Sequence, residues 1–170
     1  MKTWNSGALA QANKVLACQD KFIASLGLTI HKGIDTGNYG LIKLMLNHLS
    51  RDARALELAA GDLVRLYPKG KGRPPKWFDY AEDILYFAIQ AQKQIQAIRA
   101  DMVGNYWKII GTRLDKCYRQ CRKQQRELIG LIPAQFAGES DAVEQAAQLI
   151  ETLEMGTTYE TGIGKRWRRS

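Results

Sequence analysis

The chain has 170 residues, 45% hydrophobic and 25% charged, with 25 Lys and Arg against 17 Asp and Glu for a net charge of +8. That length and apolar content suffice for one core burying about two-thirds of the unfolded surface, which excludes a largely disordered chain and makes a single domain the expectation. The basic excess points to a polyanionic partner. No apolar run reaches the roughly 18 to 20 residues of a spanning helix. Three scattered cysteines make no disulfide framework, and no apolar signal core follows Lys2, so a soluble protein of the reducing cytoplasm is expected.

Apolar residues at Leu9, Ala12, Val15, Leu16, Phe22, Ile23 and Leu26 recur at three-and-four spacing and predict a first helix from Ala8 to Leu26, with Gly27 as its C-cap. The stretch "TIHKGIDTGNYG" has the composition of a loop, in which Asp35 or Thr36 caps the next helix. A second helix is predicted from Tyr39 to Leu49. Ser50 then caps a third, striped by Leu56, Ala59, Leu63 and Tyr67 and ended by Pro68.

Residues 67–77, "YPKGKGRPPKW", form a basic linker over 68–76 that carries Lys69, Lys71, Arg73 and Lys76. Its core of Lys71, Gly72, Arg73, Pro74, Pro75 and Lys76 resembles an AT-hook, the minor-groove-binding segment built around Gly-Arg-Pro with flanking cations. It departs from that pattern in having Lys and Gly ahead of the core, and in joining two helices instead of lying in a tail. The resemblance implies an extended backbone set by proline, with Arg73 inserted into a narrow A·T minor groove.

Beyond the linker, Ala81, Ile84, Ala88, Ala91, Ile95, Ile98 and Met102 alternate steps of three and four, a heptad seam that predicts a helix over 79–103 with Asp79 and Glu82 as its capping box. Trp107, Ile110, Leu114, Cys117, Cys121, Gln124, Leu128 and Leu131 continue a second seam over 105–131. The phase slips between them at "VGNYW", and the short connection favours a helical hairpin over one long bent helix. Pro133 closes this segment. A last helix is expected from Ser140 to Met155, and residues 156–170 as a flexible basic tail. The expected architecture is therefore all-α: a bundle of about six helices in one domain over 1–155, organised around the two seamed helices.

Charge is segregated along this pattern. On the 105–131 helix, Lys108, Arg113, Lys116, Arg119, Arg122, Lys123 and Arg126 all face away from the seam and only Asp115 and Glu127 dilute them, for a net +5. The linker adds +4, and Lys165, Arg166, Arg168 and Arg169 add another +4, leaving −5 for the rest of a chain whose total is +8. A row of cations on one helix matches a phosphate backbone, and Gln120 and Gln125 are placed to reach base edges. Trp167 among the tail cations suits stacking on an exposed base. The competing expectation is that Glu139, Asp141, Glu144, Glu151 and Glu154 of the last helix neutralise the row from within.

Enzyme chemistry has little to stand on. There is no HExxH or GxSxG pattern, "GIGKR" lacks the spacing and the Ser or Thr of a phosphate loop, and "GIDTGNYG" lacks the strand-and-helix setting of a dinucleotide site. Cys117 and Cys121 stand one turn apart at seam positions, where cysteine behaves as a small hydrophobe, with Cys18 the one conceivable third ligand. His31 and His48 read as structural.

The expectation is a non-enzymatic nucleic-acid-binding protein without metal or cofactor. DNA is favoured over RNA because of the linker, and Lys69, Lys71, Arg73, Lys76, Arg113, Lys116, Arg119, Arg122, Lys123, Arg126, Lys165, Arg166, Trp167, Arg168 and Arg169 form the contact set. The alternative is a protein-interaction module, a small regulator or inhibitor whose seam is completed by a partner or a second copy, with Gln124 setting the register.

Overall fold

The computed structural model describes Trp4 and residues 6–67, 72–100 and 107–133. Every regular element among them is helical: α1 (Ser6–Leu28), a π-helical turn (Thr29–Ile34), α2 (Tyr39–Arg65), α3 (Lys76–Ala100) and α4 (Trp107–Leu131). The expected helix from 140 to 155 and the tail at 156–170 lie outside the described residues. Among the described residues the class is all-α, as expected, but with four α-helices where about six were anticipated for the chain.

Two of the differences come from one cause, apolar periodicity running through residues whose type signals a break. Ile42, Leu46, Leu49, Ala53, Leu56, Ala60 and Leu63 are all fully buried. Their stripe keeps phase across Ser50, so the two helices predicted on either side of it are one helix of 27 residues. A serine inside a helix costs only a few tenths of a kcal/mol in propensity, far less than the burial it would interrupt. The expected loop after Gly27 is likewise helical. Ile30 and Ile34 continue the apolar face of α1 at 5% and 6% exposure, and the chain widens there into a π turn closed by Asp35 N–H to Ile30 C=O and Asn38 N–H to Gly33 C=O, both 2.9 Å. The α2 cap is Asn38, whose Oδ1 accepts from the Leu41 N–H at 3.0 Å, in place of Asp35 or Thr36. Gly33 is required by proximity: a Cβ there would lie 2.8 Å from Ile42 Cγ1.

The four helices form an up-down-up-down bundle in which each packs antiparallel to its two neighbours. Cross-helix hydrogen bonds show the register. Gln11 Nε2 donates to Ala59 C=O (3.0 Å) and Ser25 Oγ to Asp52 (2.6 Å) between α1 and α2. Gln92 donates to Glu57 (2.7 Å) between α2 and α3, and Gln124 to Asp83 C=O (3.3 Å) between α3 and α4. Gln125 closes the ring from α4 to α1, donating to Leu16 C=O (3.2 Å) and Asp20 Oδ1 (2.6 Å). The α3 and α4 helices thus stand as a hairpin about the undescribed residues 101–106. The most extensive packing, however, joins α2 to α3, so the bundle is not organised chiefly around the two seamed helices.

The α3 seam residues Ala81, Ile84, Ala88, Ala91, Ile95 and Ile98 are each at most 2% exposed. Helix α3 begins at Lys76, earlier than predicted, with Pro75 C=O accepting from Phe78 N–H at 3.0 Å. An aromatic corner ties this end together. Trp77 stacks on Trp4 with ring centroids 5.3 Å apart and meets Tyr67 edge-on at 6.3 Å, while Trp4 Nε1 donates to Leu131 C=O at 2.9 Å.

Candidate functional site

Helix α4 packs against α3 on one side and against α1 with its π-helical continuation on the other, so it buries two rows. Ile110, Leu114, Cys117, Cys121, Gln124 and Leu128 belong to the seam read from the sequence, and Tyr118 and Gln125 form a second buried row, from which Gln125 reaches α1. Gln125 is fully buried, with its amide spent on Asp20 and Leu16; it cannot reach a base edge, and that expectation is corrected. None of the seven α4 cations is buried.

Their positions divide them. On the α3 flank, a groove of about 620 Å³ is lined by Arg113, Lys116, Arg119 and Lys123, with Gln120 beside them, over a floor of Phe87, Ala91 and Cys117. Gln90 and Gln94 form its α3 wall. Among the described residues no carboxylate lines it. Ala91 and Cys117 are small and leave space above them that larger side chains would fill. Phe87 is held by Phe22, edge to face at 6.1 Å, so the floor is fixed by the core.

Of the groove cations, Arg119 also pairs with Asp115 at 2.9 Å. Arg126 is exposed further along α4, and Arg122 is half-buried with its guanidinium 5.3 Å from the centre of the Tyr118 ring. Burial pushes the Cys117 thiol up to about 11 against the opposing charge of Lys116, so it stays a neutral part of the floor at physiological pH. Burial also raises the Cys121 thiol, and raises the Asp20 carboxyl despite the hydrogen bond from Gln125.

The linker cations are elsewhere. Gly72 has φ 73°, with its carbonyl accepting from Tyr67 Oη at 3.2 Å, so the chain turns at this residue instead of running extended as the AT-hook resemblance implies. Arg73 and Lys76 are exposed there. Lys76 is about 21 Å along α3 from Gln90, and the fold does not join them to the groove. Lys69, Lys71, Lys165, Arg166, Trp167, Arg168 and Arg169, with the acidic residues of the expected last helix, lie outside the described residues.

Sequence reasoning missed the α3 wall. Gln90 and Gln94, one turn apart and flanking the small seam residue Ala91, were the available signal, but their use depends on which helix stands beside them. Elsewhere, His31 Nδ1 lies 3.3 Å from Asp35 Oδ2 in the π turn, and His48 is exposed on α2. Among the described residues no three His, Cys, Asp or Glu side chains gather to hold a metal ion, and no helix is long and apolar enough to cross a membrane. Comparison with family models, curated proteins and solved structures finds no match to this chain.

Proposed function

We propose that this chain is a non-enzymatic nucleic-acid-binding protein whose principal contact is the α3–α4 groove with the outward face of α4. The observation that carries this reading is the lining itself, four cations and three glutamines around an apolar floor with no carboxylate among the described residues. Cations gathered on one flank of a rigid helix meet phosphates at fixed spacing and release their counterions, which gives binding that is largely electrostatic and weak in sequence preference. DNA is the class favoured by the Gly-Arg-Pro linker, where Arg73 stands exposed away from the groove and supplies a separate, auxiliary contact.

The alternative of a partner completing the heptad seams has less to support it. The α3 seam is buried within the single chain, and Gln124 is 5% exposed and bonded to Asp83 C=O.

Fluorescence-anisotropy titration of the whole protein with duplex DNA, single-stranded DNA and RNA at several salt concentrations tests the proposal. Micromolar or tighter binding is expected, with a steep salt slope and loss on Arg113→Glu, Lys116→Glu and Lys123→Glu at unchanged helical content. Absence of binding near physiological salt, or affinity indifferent to the charge reversals, would overturn it.

A further inference from the structure

The groove has a shape and a lining that distinguish among nucleic acids. A helix with its side chains is about 10–12 Å across and by itself fills a major groove about 12 Å wide. With α3 standing against the flank of α4 that bears Arg113, Lys116, Gln120 and Lys123, that row cannot enter a duplex groove. It lines a concavity of about 620 Å³, within the roughly 300–1,000 Å³ range of clefts that enclose small molecules.

The lining is also wrong for phosphate alone. Phe87, Ala91 and Cys117 offer nothing to an anion, while the flat face of a nucleobase loses water favourably against them. Gln90, Gln94 and Gln120 each present both a donor and an acceptor above that floor. Such amides match the Watson–Crick edge of a base, which is free only when the base is unpaired. The rim cations extend from Arg113 to Lys123, about 15 Å along the helix axis, which matches a backbone running past an inserted base.

Resting on the nucleic-acid reading above, we infer that the α3–α4 groove takes an unpaired nucleobase from a single strand. The base lies on the floor of Phe87, Ala91 and Cys117 and is met by Gln90, Gln94 and Gln120, and the adjoining phosphates rest on Arg113, Lys116 and Lys123. The groove is therefore a selector for single-stranded over paired nucleic acid.

The test uses the full chain and four fluorescein-labelled probes: a short single-stranded DNA, its RNA counterpart, the matched DNA duplex, and the DNA strand with its central nucleotides made abasic. The abasic strand keeps the phosphates and loses the bases. The intact single strands are expected to bind at least about fivefold tighter than the duplex, the size of one base–aromatic contact at its weakest, and the abasic strand to fall to the duplex level. Gln90→Ala with Gln94→Ala is expected to lower single-strand affinity several-fold while leaving duplex affinity and the salt slope unchanged. Equal affinity for intact, abasic and duplex probes would overturn the inference and leave polyanion binding standing. Failure to bind any probe would overturn both readings.

Discussion

Replacing Lys116 and Lys123 by Gln removes two groove cations while keeping the helix propensity and most of the length of the side chains. Three of the four lining cations, Arg113, Lys116 and Lys123, are available to phosphates, whereas Arg119 is shared with Asp115 at 2.9 Å. At about 0.7 per neutralised phosphate on a single strand, those three contribute about −2.1 to the slope of log K against log salt. Their share of the affinity then falls about 18-fold between 50 and 200 mM salt. With Arg113 alone the slope is about −0.7 and the fall about 2.6-fold. Cations elsewhere in the chain add equally to both proteins, so the quantity to read is the difference in slope, about 1.4 units, from parallel anisotropy titrations. Both lysines are exposed, and far-ultraviolet circular dichroism should be unchanged. Slopes differing by less than about 0.5 would show that phosphates do not rest on this groove.

Three further outcomes follow from the packing. Trp77, 2% exposed between Trp4 and Tyr67, holds the α2–α3 corner; Trp77→Ala should cost about 3–5 kcal/mol in urea unfolding, and a loss below about 1 kcal/mol would show that the aromatic corner is dispensable. Gly33→Ala places a methyl 2.8 Å from Ile42 Cγ1 and should cost about 1–3 kcal/mol, with part recovered by adding Ile42→Val; an unchanged melting temperature would mean the π turn yields freely. Because burial raises the Cys117 thiol from 9.0 to about 11, the unfolded chain ionises first and stability falls as pH rises across that window. A Cys117→Ala, Cys121→Ala variant should show a flatter stability profile over the same range, and profiles of equal slope would refute the assignment.

The parts of the fold legible in the sequence are those governed by one helix and one period. The α3 seam was readable because Ala81, Ile84, Ala88, Ala91, Ile95 and Ile98 mark a single buried stripe. Ser50 misled because the same hydroxyl that caps a helix is tolerated inside one when the stripe continues past it. The 29–34 segment misled because the Gly, Asn, Asp and Thr content of the stretch it opens, residues 29–40, outweighed Ile30 and Ile34, whose burial decides the matter. Gln125 misled for a different reason. A two-stranded seam exposes the position after each inner residue, but in a four-helix bundle a second neighbour covers it, and Tyr118 and Gln125 go inside together. The candidate site divides the same way. Its α4 cations were visible as a row, while Phe87, Gln90 and Gln94 joined them only once α3 stood alongside, a fact of tertiary packing that periodicity does not carry.

The placement of the groove cations also bears on stability, since it opposes the folded state that displays it. Arg113 and Lys116, Lys116 and Arg119, and Arg119 and Lys123 are like-charged neighbours at three- and four-residue spacing on α4. Such pairs each destabilise a helix by about 0.2–0.5 kcal/mol, or roughly 0.6–1.5 kcal/mol for the three. All three disappear in the Lys116→Gln, Lys123→Gln variant; the repulsive Lys123–Arg126 and attractive Lys123–Glu127 spacings are lost with them and offset each other, while the Asp115–Arg119 pair remains in both proteins and cancels. In 20 mM NaCl the variant should therefore melt about 1–6 °C above the parent, at roughly 2–4 °C per kcal/mol for a chain of this size. The gap should close by 0.5 M, where screening acts over only a few ångströms. A variant no more stable than the parent at low salt would mean that the fold offsets these charges internally, and the groove would then lose its claim on a polyanion. If the gap appears, a strand bound as proposed would remove the same repulsion, and the residues that weaken the free bundle would be those that stabilise the proposed complex.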